Sequence, residues 1–194
     1  MGLTRQARTL NAKQISNVVA RTNDYRNALR NQVIVQLTLL AGLRAKEVAG
    51  LRWEHVLDNE GSIGTEIRLT NDAAKGKSGG VIPMHAKLKS LLAELRGQAR
   101  GDAKAAVVQS EHGGSMRASS VVNLLCAHYK RCDIDGASSH SGRRTFVTNA
   151  ARKISMAGGS IRDVQALARH SNLATTQRYI ETNSEAQRKV IDML

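Results

Sequence analysis

His140-Ser-Gly-Arg-Arg144 and Ala168-Arg-His-Ser-Asn-Leu-Ala-Thr-Thr-Gln-Arg-Tyr179 bound the stretch on which the reading of this chain turns. A histidine, an arginine three residues on, a second histidine and a tyrosine nine residues after it can all work on a phosphate. Arginine clamps phosphate oxygens through its planar fork. Histidine moves protons near neutral pH, and a tyrosine hydroxyl can act as a nucleophile and form a covalent intermediate. No one of these groups is specific; the ensemble is, together with an arginine and a lysine far upstream. Periodicity predicts a helix from His140 to Lys153, with Phe146, Val147 and Ala150 inward and His140 and Arg143 one turn apart. Gly158-Gly159 breaks the pattern. Ser160 caps a helix holding Ile161, Val164 and Leu167; His170 follows its end, and Asn172 to Tyr179 forms further helical turns.

Working back toward the N-terminus, Ser119 or Ser120 can cap a helix reaching Arg131, with Val121, Leu124, Leu125 and His128 on one face; His128 reads as a core or boundary histidine rather than a catalyst. Ala86 to Arg96 is amphipathic, with Leu88, Leu91, Leu92 and Leu95 inward. Between Trp53 and Pro83 the pattern is that of short strands, at Trp53 to Val56, Ile63 to Leu69 and Val81 to Pro83. The glycine-flanked tip from Ala74 to Gly80 carries Lys75 and Lys77, either of which could swing onto a ligand. Asn11 to Val19 reads as a short helix. Thr22, Asn23 or Asp24 can cap the next one, which runs to Ala41 and ends at Gly42. Arg44 then stands at the start of another helix, with Glu47 one turn on as its ion-pair partner. Residues 1–10 look like a loose basic arm, with Arg5 and Arg8. The expected class is mainly α with a small antiparallel β-sheet.

The chain has 194 residues, 41% hydrophobic and 23% charged, which is enough to bury a core within one domain. Its formal net charge of +13 is exceptional and points to nucleic acid, whose phosphates release counterions to a basic partner. Ten Lys or Arg stand against three Asp between Arg117 and Arg178, so the charge is concentrated beside the phosphate-directed groups. Cys126 and Cys132 form no CxxC pair and suit a reducing cytoplasm. The six histidines lack metal-ligand spacing. The N-terminus lacks the apolar run of a signal peptide, and no stretch has the length of a membrane span.

Four blocks, in order, resemble the catalytic domain of the tyrosine recombinases, the phage integrase family. They are Ala41-Gly-Leu-Arg44-Ala-Lys-Glu47 with Leu51-Arg-Trp53, Lys75-Gly-Lys-Ser-Gly-Gly-Val-Ile-Pro83, His140-Ser-Gly-Arg143, and His170 through Tyr179. The likeness covers residues 11–194. It implies that Tyr179 attacks a scissile DNA phosphate and forms a 3′-phosphotyrosyl link. Arg44 and Arg143 would hold the non-bridging oxygens, and Lys75 (Lys77 as runner-up) would protonate the departing 5′-oxygen. His140 would assist proton transfer, His170 would bond the phosphate, and Glu47 would buttress the arginine and histidine. Further DNA contacts are expected at Lys77, Arg117, Ser119, Arg144, Arg169 and Arg178. Neither cofactor nor metal is implied. The implied partner is double-stranded DNA, with a monomer in solution, a tetramer on paired sites, and no membrane.

Three departures from the family pattern stand out. Arg144 occupies a place where the family often has a second histidine. Arg169 precedes His170 where the family usually has glycine, and both add bulk and charge beside the phosphate. The first arginine motif also comes too early to leave room for an N-terminal DNA-clamping domain, so weak, salt-sensitive binding is expected. The expected activity is site-specific strand cleavage and rejoining for integration, excision or inversion. Two alternatives stay open: a DNA-binding accessory protein of recombinase ancestry with little turnover, and a type IB topoisomerase.

Overall fold

The computed structural model describes residues 7–70, 79–99, 102–179, 188, 191 and 192. Lys75, Lys77 and nearly all of the expected Ser184–Leu194 helix lie outside the described residues. The architecture is mainly helical with one small antiparallel sheet, as expected.

Helix α2 (Ala28–Leu40) is the centre of the fold. Its residues from Val33 to Leu39 are all buried, because α1 (Ala12–Ala20), α3 (Ala45–Gly50), α4 (Ala86–Gln98) and α6 (Ser141–Lys153) all pack on it. A helix apolar around most of its circumference is stable only when surrounded in this way. It starts later than the sequence suggested. Arg21–Asp24 is a separate 3-10 turn, and Asn27 is the α2 N-cap. The Thr22 hydroxyl donates back to the Val19 carbonyl at 2.6 Å and so does not cap forward. Gly42 ends the helix at φ +63, and a Cβ there would meet the Phe146 ring at 2.4 Å.

The sheet is a single hairpin of β1 (Glu66–Leu69) and β2 (Gly80–Pro83), with Ile67 opposite Ile82 and both buried. The expected strand at Trp53 to Val56 is instead a 3-10 turn, Trp53–His55. His55 Nδ1 accepts the Arg52 amide at 3.1 Å and closes it, while Trp53 is fully buried. Of the expected strand from Ile63, only Glu66 to Leu69 pairs along the hairpin; Ile63 makes one isolated bridge to Leu57.

Helix α5 (Ala118–Arg131) packs on α3. Its N-cap is Arg117, so Ser119 and Ser120 lie inside the first turn rather than capping it. His128 is a core residue, bonded to the Val18 carbonyl at 2.7 Å and the Tyr25 hydroxyl at 3.1 Å. The described part of the N-terminal arm is docked, not loose. Leu10 is buried, its amide donates to Thr145 Oγ1 at 2.9 Å, and the Arg8 guanidinium reaches the Asp135 carbonyl at 3.0 Å.

The C-terminal elements are α6, α7 (Ile161–Ala168) and α8 (Leu173–Gln177). A second, smaller apolar cluster joins Val147, Val164 and Ala168, with Phe146, Ala150 and the Tyr179 ring against it. Ser160 and Asp163 form the capping box that starts α7, and Asn172 caps α8 by accepting the Ala174 amide at 2.8 Å.

Candidate active site

Arg44 is the N-cap of α3, on the turn forced by Gly42. Its guanidinium donates to Glu47 Oε1 at 2.8 Å and its amide to Glu47 Oε2 at 2.8 Å. Glu47 is wholly buried, whereas the Arg44 side chain keeps a quarter of its surface, so the arginine has one face free. The ion pair foreseen from the i, i+3 spacing exists, but it is a buried anchor rather than a surface bridge.

His140 is the N-cap of α6 and is exposed. Arg143, one turn on, points inward. Its Nη1 donates to the Gly42 carbonyl at 2.5 Å and its Nη2 to the Ala168 carbonyl. Burial, with Arg44 next to it, lowers the Arg143 guanidinium to about 10, which leaves it charged at neutral pH.

His170 is buried at the end of α7. Its Nδ1 is 2.9 Å from the hydroxyl of Thr176, itself fully buried on α8, and Gln165 Nε2 holds its carbonyl at 3.0 Å. Burial, reinforced by the charges of Arg143, Arg44 and Arg169, drives the imidazole down to about 4. It is therefore neutral at physiological pH and can both donate and accept a hydrogen bond. The Tyr179 ring stacks on it, with centroids 5.7 Å apart and planes at 21°. The Arg144 guanidinium lies 5.4 Å from the centre of the same tyrosine ring, a cation–π contact.

These side chains share one open pocket of about 380 Å³. Arg44, His140, Arg143, His170 and Tyr179 all line it, with Arg144, Arg178, Ser138, Thr175 and Ala7. Five residues from three sequence blocks, spread over 135 positions from 44 to 179, thus face one space. The pocket can accept an oxyanion against two guanidiniums and place it beside a phenol.

The other expected contacts fall differently. Arg144 and Arg178 reach the pocket. Arg117 lines a separate depression with Arg30, Glu111 and His112, and Ser119 lines neither. Arg169 does not stand at the surface beside the pocket: it is buried, with Nη2 2.6 Å from Glu47 Oε2. Sequence reasoning missed Thr176, whose partner is set by the α7–α8 turn, and Gly142, which lets α6 approach α2.

The phage integrase family profile matches residues 8–186. The tyrosine recombinase XerC of Xylella fastidiosa is 26% identical over 190 residues, covering 98% of this chain and 61% of that protein. The XerC of Myxococcus xanthus is 31% identical over 173 residues, covering 84% of this chain and 54% of the relative. The chain thus spans little more than half the length of these curated relatives. Among solved structures, XerA recombinase superposes with a TM-score of 0.73 at 20% identity, over 100% of this chain and 65% of that one. The Tn1549 transposon integrase, in complex with a circular intermediate DNA, gives 0.77 at 20% identity, over 98% and 67%.

Proposed function

This chain belongs to the phage integrase family, and we propose that it breaks and rejoins DNA strands through a covalent tyrosyl intermediate, as a site-specific recombinase. The observation that carries the reading is the convergence of Arg44, His140, Arg143, His170 and Tyr179 on one pocket. The Tyr179 oxygen attacks the scissile phosphorus as the P–O5′ bond breaks, leaving a 3′-phosphotyrosyl link and a free 5′-hydroxyl. Arg44 and Arg143 balance the charge that develops on the non-bridging oxygens. His170, neutral, donates to one of them, and exposed His140 takes the phenolic proton. Lys75 delivers a proton to the leaving oxygen, with Lys77 as the alternative. Rejoining reverses these steps with a 5′-hydroxyl as nucleophile. The phosphotyrosine conserves the energy of the broken bond, so no nucleotide is consumed.

The substrate is double-stranded DNA, which suits the charge of +13. Arg144 and Arg178 on the pocket rim, and Arg117 and Ser119 beyond it, would contact the duplex, as would Lys77. The chain acts as a tetramer on paired sites and is a monomer without DNA. Among the described residues no helix is long and apolar enough to cross a membrane.

A nicked suicide duplex drawn from the DNA flanking the gene tests this, with wild type beside Tyr179→Phe. The expected result is a covalent protein–DNA band that the variant lacks. Binding with no covalent band, on a duplex shown to contain the site, would favour the accessory-protein reading.

A further inference from the structure

Arg169 takes no part in the chemistry above, yet its surroundings are unusual in three ways. Its backbone sits at φ 51, ψ 47, at the C-cap of α7. This left-handed conformation is disfavoured for any residue with a Cβ and suits the glycine that the family resemblance implies here. Its side chain is 3% exposed and ends 2.6 Å from Glu47. Among the described residues its Nε and Nη1 are buried without a hydrogen-bond partner, a rare condition for charged donors. The side chain also passes the first residue of β2: a Cβ built on Gly80 would stand 3.4 Å from Arg169 Cδ.

We propose that Arg169 is a positioning residue, which shares Glu47 Oε2 with the Arg44 amide while the Arg44 guanidinium holds Oε1, and so fixes that guanidinium for its anion. The inference rests on reading the pocket as a phosphate site. α3 is only six residues long, and Arg44 has a single side-chain bond within it. Of the described bonds to this carboxylate, that of Arg169 is the one that does not come from Arg44 itself, so it sets the carboxylate's orientation from outside α3. The same ion pair ties the end of α7, which carries His170, to the start of α3, which carries Arg44. Packing alone accounts for neither the strained backbone nor the two unpaired donors; a glycine would avoid both. The charge also reaches Arg143 and His170, adding to the positive field in which an anion would sit.

Arg169→Gly relieves the backbone and removes the ion pair, while Arg169→Lys keeps a cation on Glu47. The first arm needs no DNA: the thermal midpoint is measured in inorganic phosphate and in chloride of equal ionic strength. Phosphate should raise Tm in wild type, the rise should fall by about half or more in Arg169→Gly, and Arg169→Lys should regain most of it. The second arm is single-turnover cleavage at saturating nicked duplex. Arg169→Gly should cleave about tenfold or more slowly, with DNA affinity within about threefold of wild type, and Arg169→Lys should recover most of the rate. A merely structural role would lower Tm equally in both salts and leave the saturated rate unchanged; that result overturns the proposal. So does a phosphate-induced rise that is absent in wild type or equal in all three proteins. If wild type forms no covalent adduct, the recombinase reading fails, and the phosphate arm alone decides the role of Arg169.

Discussion

Gly142→Ala should separate the two helices that frame the site. A Cβ on Gly142 would stand 2.1 Å from Thr38 Oγ1, 2.7 Å from Thr38 Cβ and 3.1 Å from the Tyr129 hydroxyl. A hydroxyl can rotate away, but Thr38 Cβ is fixed by the backbone of α2. Carbon atoms rest at about 3.5–4.0 Å, so α6 must retreat from α2 by about 1 Å. Overpacking of this kind costs about 1–3 kcal/mol, and the rigid Cβ contact puts this site at the upper end. Alanine recovers about 1 kcal/mol over glycine in a helix, which leaves a net loss of about 2 kcal/mol. Trp53, the only tryptophan and fully buried, reports unfolding by fluorescence. The urea midpoint should fall by about 1 M. Arg143 follows Gly142 in the chain and is bonded to the Gly42 carbonyl, so cleavage should slow by up to about 100-fold. Adding Thr38→Gly removes both close atoms and should restore much of the activity, whereas Thr38→Ala leaves the Cβ contact and should restore little. A Gly142→Ala midpoint equal to or above wild type would falsify the steric argument.

Two further outcomes follow from the buried charges. Glu47→Gln leaves Arg169 buried without its anion and should cost about 3–5 kcal/mol in urea unfolding; in an Arg169→Gly background the cost should drop to less than about half, and equal costs in the two backgrounds would show that the pair is not coupled. His170 is held near 4 in the folded chain against an ordinary 6.5. Between those values the unfolded chain binds the extra proton, so this contribution is complete above pH 6.5 and is lost as pH falls toward 4. Solvent screening at this open pocket holds the loss to about 1–2 kcal/mol, and His170→Gln should flatten the dependence of the urea midpoint over that range. An unchanged slope would mean that His170 is not the group responsible.

The blocks around Arg44, His140 and His170 were legible because each sits where local chemistry is loud: a glycine turn before a helix, an N-cap, the end of a short helix. The helices with one clear apolar face, α4 to α7, were legible to within a few residues. Trp53 to Val56 was misjudged because an aromatic and a valine fit a strand as well as a buried turn, and the deciding bond, from the Arg52 amide to His55 Nδ1, has no signature in composition. The inward turn of Arg169 was hidden for a different reason. It depends on a carboxylate 122 positions away, and an arginine beside a histidine in a basic sequence otherwise belongs on the surface. Thr176 and Gly142 were silent because small residues report what packs against them only after the neighbours are known.

Arg143 also bears on how such a protein should be switched off. Its guanidinium closes onto the carbonyl that ends α2 and the one that ends α7, so it is a rivet between two parts of the chain as well as the proposed ligand for an anion. A side chain without a guanidinium gives up this pair of bonds, and an inert Arg143 variant could equally be a loosened one. Removal of a single oxygen from Tyr179 disturbs none of these bonds, which makes that tyrosine the cleaner place to make a dead control.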